Sequence, residues 1–300
     1  MVEAQIATGG MGRIYRVRHP VLDRLLALKV MRASAATRRP LRSRFQREIR
    51  LAAAIDSPHV VAIVDTGMLD DGRPFYVMEY LDGETLADRL ERGPVAIEET
   101  CRIGAELAAG LSAVHRADAV HRDLKPSNVM VMQRAHGPRC KLVDFGIAKL
   151  TTGERITHQG AVLGTPHYMS PEQIAARPVD ARSDIYALGC ILYAMITGDL
   201  PYSAPTPLAT MRLHLEAPVP DPRARRLGCP DALAEVVRRC LQKTPDRRFP
   251  SADAAAHALD QVADWGDLTA PARATAPLGQ LSSGVLWALT AATISVAPIP

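Results

Sequence analysis

The chain has five cysteines, Cys101, Cys140, Cys190, Cys229 and Cys240, but no CxxC pair and no metal-ligand spacing. A cysteine-held metal and a disulfide framework are therefore not indicated. Cys101, Cys190 and Cys240 fall within apolar helical patterns, where a free thiol acts as a small hydrophobe, and a reducing cytoplasm suits them best. An excess of either charge is also lacking. Against 32 acidic residues stand 36 basic ones, a net charge of +4, too mild a balance for nucleic acid as the main partner. The densest basic stretch, Arg38 to Arg50 with six arginines, reads more simply as a solvated loop and helix face than as a polyanion site. The N-terminus carries no basic-then-apolar leader, so no secretory signal is expected. No internal repeat is evident, and no apolar run reaches the roughly 20 residues of a membrane span.

What is present is a composition able to bury a sizeable core, 47% hydrophobic and 23% charged. Val2 to Ile6 and Arg13 to Val17 read as strands broken by Thr8-Gly9-Gly10-Met11-Gly12, and Leu25 to Met31 is a third, nearly all apolar but for Lys29. Arg44 to Ile55 reads as a helix stopped before Ser57-Pro58. Val60 to Gly67 and Pro74 to Tyr80 are two further strands, with Asp70-Asp71-Gly72 as the turn. From Glu98 onward the period becomes helical, with Ile103, Leu107, Leu111 and Val114 on one face and Leu233, Val236, Val237, Cys240 and Leu241 on another. Ser183 and Ser251 are expected N-caps. The change of character falls near Asp82-Gly83. Residues 269–277 are rich in Ala and Pro, and 284–299 are mostly apolar.

The most informative run is Val120-His121-Arg122-Asp123-Leu124-Lys125-Pro126-Ser127-Asn128, followed sixteen residues later by Asp144-Phe145-Gly146. Phosphoryl transfer needs a carboxylate beside the attacking hydroxyl, which Asp123 can supply. It also needs oxygen ligands for the cations that bridge the phosphates, which Asn128 and Asp144 can supply. Upstream, Ala7-Thr8-Gly9-Gly10-Met11-Gly12-Arg13-Ile14 precedes Ala27-Leu28-Lys29. Glycines there let backbone N–H groups close over phosphates. A lysine inside an apolar strand needs a partner or a ligand, because an isolated buried ammonium is costly.

These blocks, over about residues 2 to 262, resemble protein kinases. With Gly-Gly-Met-Gly and Ser170-Pro171-Glu172-Gln173, they look like the bacterial branch of eukaryotic-like (Hanks-type) Ser/Thr protein kinases. The resemblance implies an α+β, bilobal fold: a small antiparallel β-sheet N-lobe with one main helix, about residues 1–81, and a larger, mainly helical C-lobe, about 82–264. A linker would follow at 265–280 and an apolar tail, a candidate truncated membrane segment, at 281–300.

The resemblance further implies ATP with Mg²⁺, or Mn²⁺ in its place, as cofactor. Asp123, Lys125 and Asn128 would be catalytic, with Asn128 and Asp144 on the metal. Ala7, Gly9, Gly10, Gly12, Ile14, Ala27, Lys29, Glu48, Met78, Glu79 and Leu81 would line the nucleotide, Glu48 pairing with Lys29 and Met78-Glu79-Tyr80-Leu81 forming the hinge beneath adenine. Thr165 would form the substrate floor, Asp184 would brace the catalytic loop, and Glu172 would pair with Arg248. Arg122 before Asp123 implies control by a phosphorylated loop, with Thr157 as first candidate and Thr151 and Thr152 next. The implied partners are proteins bearing Ser or Thr, the chain itself included, and a membrane only through 281–300. Two departures favour an alternative, a nucleotide-binding scaffold without transfer. Ala7 stands where the pattern wants glycine, and the first strand begins almost at Met1, as though residues were missing before it. A small-molecule kinase fits less well, because an activation segment runs from Ala148 to Glu172.

Overall fold

The computed structural model describes residues 1–9, 12–31, 49–135, 137–144 and 166–269, the last six as backbone only. Five strands form one antiparallel sheet: β1 (Val2–Thr8), β2 (Gly12–Arg18), β3 (Leu25–Met31), β4 (Ile63–Met68) and β5 (Pro74–Glu79), in the order β1-β2-β3-β5-β4. The central strand β3 is the most apolar, and its burial on both faces follows from sitting between β2 and β5. The turn at Gly72 has φ +82°, a conformation open to glycine, and Gly72 N–H donates to Leu69 O. Helical residues 49–53 are the described end of the helix expected to start at Arg44.

Past the change of character near Asp82 the fold is mainly helical. Its helices are α1 (Leu86–Glu91), α2 (Ile97–Arg116), α3 (Pro171–Ile174), α4 (Ala181–Thr197), α5 (Pro207–Glu216), α6 (Asp231–Cys240) and α7 (Ala252–Thr269). Helix α2 buries Ile103, Leu107, Leu111 and Val114 against α4, α7 and β8 (Arg139–Leu142). That stripe at helical spacing recurs on α6, where Leu233, Val236, Val237 and Cys240 enter the same core. The expected two-lobed α+β architecture is present. All five cysteines are free and buried.

The mainly helical half also carries a small sheet of β6 (Glu84–Thr85), β7 (Val129–Met132) and β8, in that order. Two expectations need correction. Ser183 is not an N-cap: α4 starts earlier, Asp180 caps it by accepting from Arg182 N–H, and the Ser183 hydroxyl donates to Glu172. The strand expected from Val60 starts at Ile63, because Val60 bridges to Leu142 and Val61 N–H donates to Leu142 O. Ser251 does cap α7, accepting from Ala254 N–H at 3.2 Å. Helix α7 continues to Thr269, into the stretch expected as linker. Among the described residues no helix is long and apolar enough to cross a membrane; the tail 281–300 lies outside them.

Candidate active site

Backbone register brings together residues expected to line the nucleotide. Ile14 on β2 faces Lys29 on β3, Ala27 faces Met78 on β5, and Ala7 on β1 faces Ile14. Ala27 and Met78 belong to one apolar cluster, with Ile14, Leu81 and Val143 packed against it. These side chains form one apolar wall shared between the sheet and the segment that leaves β8. Glu79 turns its side chain away from that wall: it accepts from Ala62 N–H at 2.8 Å and pairs with Lys141 on β8. Its N–H also donates to Ala62 O at 3.0 Å, and the carboxylate ties the sheet to the helical half.

In the glycine loop, Gly9 N–H donates to Gly12 O at 2.9 Å, closing the turn between β1 and β2. Gly12 is buried opposite Met31, and a Cβ there would lie 2.2 Å from Val30 O. A backbone atom cannot swing aside, so Gly12→Ala should destabilise the fold by about 1–3 kcal/mol. Gly9 has nothing within 4 Å of its missing Cβ, and Gly9→Ala should melt with the parent. Thermal melts of the two variants check this contrast; equal melting points would remove the close approach as the reason for glycine at 12. Gly10 lies outside the described residues.

Lys29 is 5% exposed, so its ammonium has to be met. The expected partner, Glu48, lies outside the described residues; among those described, Lys29 forms an ion pair with Asp144 Oδ1. The Tyr76 hydroxyl donates to the same oxygen at 2.9 Å. Burial works to raise the Asp144 pKa, but the Lys29 charge, its hydrogen bond and that of Tyr76 outweigh it and hold the carboxyl below its ordinary value. Burial, with the Asp144 charge beside it, pushes the Tyr76 phenol well up, so it remains a donor. Tyr76 was not foreseen. Strand period places it on the face of Met78, two residues on, and that period was the available signal.

The catalytic loop lies between α2 and β7. Asp184, on the first turn of α4, accepts from His121 N–H and Arg122 N–H, both at 2.8 Å, and meets His115 Nε2 at 2.8 Å. These bonds hold Arg122 at φ +63°, where non-glycine residues are uncommon. Asp123 and Lys125 pair at 3.0 Å. Asn128 Nδ2 donates to Asp123 O at 2.8 Å, which leaves its amide oxygen as the acceptor end. Val143 N–H donates to Asn128 O, so Asn128 and Asp144 sit at the same end of the β7–β8 pair. An amide oxygen and a carboxylate are hard donors that suit Mg²⁺ or Mn²⁺.

Beside the loop lies a cleft lined by Arg122, Asp123, Lys125, Tyr168, Met169 and Gln173, among others. Gln173 Nε2 donates to Arg122 O, and Glu172 and Arg248 form a two-pronged buried pair at 2.7 and 2.8 Å. The structure thus brings together Asp123, Lys125 and Asn128 in the loop, and Lys29 with Asp144. Thr151, Thr152, Thr157 and Thr165 lie outside the described residues.

Comparison with known proteins gives a consistent result. The protein kinase domain family matches residues 1–259. The chain is 40% identical over 264 residues to the serine/threonine-protein kinase pkn3 of Myxococcus xanthus, covering 84% of this chain and 48% of that protein. It is 40% identical over 251 residues to the serine/threonine-protein kinase PknB of Mycolicibacterium smegmatis, covering 81% and 40%. The chain thus spans about half the length, or less, of these curated relatives. The crystal structure of the Mycobacterium tuberculosis PknI kinase domain superposes with a TM-score of 0.67 at 29% identity, covering 87% of this chain and 94% of that one.

Proposed function

The chain belongs to the protein kinase domain family, and on that premise we propose that it transfers the γ-phosphate of ATP to serine and threonine hydroxyls of proteins, its own activation segment included. The observation that carries this reading is the convergence of Lys29 and Asp144 in one ion pair and of Asp123, Lys125 and Asn128 in one braced loop. The names of the relatives support the choice of serine and threonine over other acceptors.

Asp123 orients the substrate hydroxyl and accepts its proton. Lys125, 3.0 Å from it, neutralises charge on the phosphate that moves. Lys29 holds the phosphates that stay. Asn128, through its amide oxygen, and Asp144 hold a divalent cation, Mg²⁺ or Mn²⁺. When bound, that cation supplies charge neutralisation and orientation of the phosphates. Ile14, Ala27 and Met78 contact the adenine, with Leu81 at the hinge. Arg122 has a buried Nε without a hydrogen-bond partner among the described residues, in keeping with a phosphate on the activation segment, Thr157 first, as its partner. A cytoplasmic location, with 281–300 as the sole segment offered to a membrane, belongs to the same reading.

Incubation of the purified chain with ATP and Mg²⁺, followed by phosphosite mapping, tests the proposal. Phosphate on Thr157 or its neighbours is the expected result, and clear ATP binding without any phosphate incorporation would overturn transfer. Lys29→Met should reduce transfer by about 10²-fold or more, because a fixed positive charge at the phosphates is lost. A rate equal to the parent's would remove Lys29 from the site.

A further inference from the structure

Asp144 receives two donors on one atom. Lys29 Nζ and the Tyr76 hydroxyl both meet Oδ1, and none among the described residues meets Oδ2. Lys29 and Tyr76 stand directly opposite each other on β3 and β5, with the ammonium 5.9 Å from the phenol ring centroid. The two donors differ in a way that matters. Lys29 is charged and, by the function proposed above, is needed at the phosphates once nucleotide arrives. Tyr76 is neutral, 4% exposed, and fixed by the sheet, with its ring inside the apolar cluster that holds Ala27 and Met78. Asp144 is its one hydrogen-bond partner among the described residues.

The Asp144 carboxylate needs such an anchor. Its backbone has φ +56°, the left-handed region that L residues rarely adopt. Its side chain is tethered at Oδ1 and yet 24% exposed, so it is not sealed from solvent. A carboxylate has about four lone-pair sites. Both tethers lie on Oδ1, which leaves Oδ2 without a partner among the described residues.

From this geometry we propose that Tyr76 is a positioning residue for the metal site: its hydroxyl holds Asp144 Oδ1 so that Oδ2 stays aimed at a divalent cation while Lys29 turns to the phosphates. This inference rests on the reading of Asp144 as a metal ligand. A neutral donor does the task better than a second lysine would, because it does not oppose the incoming cation. Groups that orient a metal's ligands commonly alter metal affinity by about 10–100-fold when removed.

The test is nucleotide binding, read by fluorescence titration of a methylanthraniloyl-ATP probe with and without Mg²⁺, so that turnover plays no part. Tyr76→Phe removes one oxygen and keeps the ring in the core. It should leave affinity for the probe without metal unchanged, and should shrink the gain conferred by Mg²⁺ about tenfold. Asp144→Asn should abolish that gain, and Tyr76→Phe added to Asp144→Asn should change it no further. A purely structural role for Tyr76 would lower the melting temperature and shift both titrations together, which overturns the proposal. An unchanged gain in Tyr76→Phe, alongside a lost gain in Asp144→Asn, overturns the role of Tyr76 alone. Tighter metal-dependent binding in Tyr76→Phe would mean that the hydroxyl holds the carboxylate away from the metal, and likewise overturns it. A parent chain whose affinity ignores Mg²⁺, or an Asp144→Asn chain that responds as the parent does, overturns the metal-ligand reading beneath the proposal as well.

Discussion

Asp123→Asn should reduce phosphoryl transfer by about 10²–10⁴-fold, the range associated with a positioned acid or base, and leave the fold intact. The geometry separates the two effects. The loop is held by bonds that do not involve the Asp123 side chain: Asp184 accepts from His121 and Arg122 N–H, and Asn128 Nδ2 donates to the Asp123 carbonyl. Asparagine keeps the volume and one acceptor oxygen, so Lys125, now 3.0 Å from the carboxylate, retains a neighbour. What is lost is the negative charge beside the attacking hydroxyl. Affinity for ATP should hold within about threefold, because the proposed function assigns Asp123 to the acceptor hydroxyl and not to the nucleotide. Phosphate incorporation, probe binding and a thermal melt on the same preparation check all three statements. Turnover equal to the parent's would remove Asp123 as the base. A parallel loss of binding and melting temperature would mean that the residue holds the fold.

Much of this site is written locally, and that part was legible. Strand β3 matches its expected span, Leu25 to Met31, residue for residue, because an apolar run that tolerates one lysine has few other solutions. The run 120–128 and Asp144 stood out by their resemblance to kinase motifs, and the structure sets Asn128 and Asp144 at one end of the β7–β8 pair. What escaped depends on contacts distant in sequence. Val60 and Val61 look like the start of a strand, yet Leu142, some eighty residues on, takes their backbone. Strands β6 to β8 span two to four residues, too short for period two to register. Ser183 is a good N-cap by composition, but Asp180 lies upstream and claims the helix start, and the serine is recruited by Glu172. Tyr76 was missed for the same reason: strand period puts it on the face of Met78, but its partner Asp144 is 68 residues away and nothing local announces it.

Glu172→Gln carries the largest expected effect on stability, about 3–5 kcal/mol, as when one partner of a buried ion pair is removed. Arg248 has a side chain with 0% exposure. Both its terminal nitrogens donate to Glu172, at 2.7 and 2.8 Å, and its other bonds go to the neutral carbonyls of Gln242, Arg182 and Lys243. Its guanidinium also lies over Tyr186 at 4.9 Å. Glutamine keeps the shape but leaves a buried cation without a counter-charge, and the melting temperature at neutral pH should fall by roughly 10 °C. The pH dependence has a definite sign. Against a burial that alone would raise it, Arg248 and Ser183 bring the Glu172 carboxyl down to about 2, from an ordinary 4.5. A depressed folded-state pKa gives stability that is fully present above the unfolded value and is lost as pH falls from about 4.5 to about 2. The gap between parent and Glu172→Gln should therefore be full at pH 7 and narrow steadily below pH 4.5. Replacing both partners, as Glu172→Leu with Arg248→Met, should recover part of the loss, since no charge is left stranded. Melts of the parent and the two variants across pH 3 to 7 decide the matter; equal stability of Glu172→Gln and parent at pH 7 would show that the pair contributes nothing. The consequence for function is directional. Glu172 lies on α3, whose Gln173 holds the Arg122 carbonyl, so loosening this pair should weaken turnover of a protein substrate before it weakens nucleotide binding in the sheet.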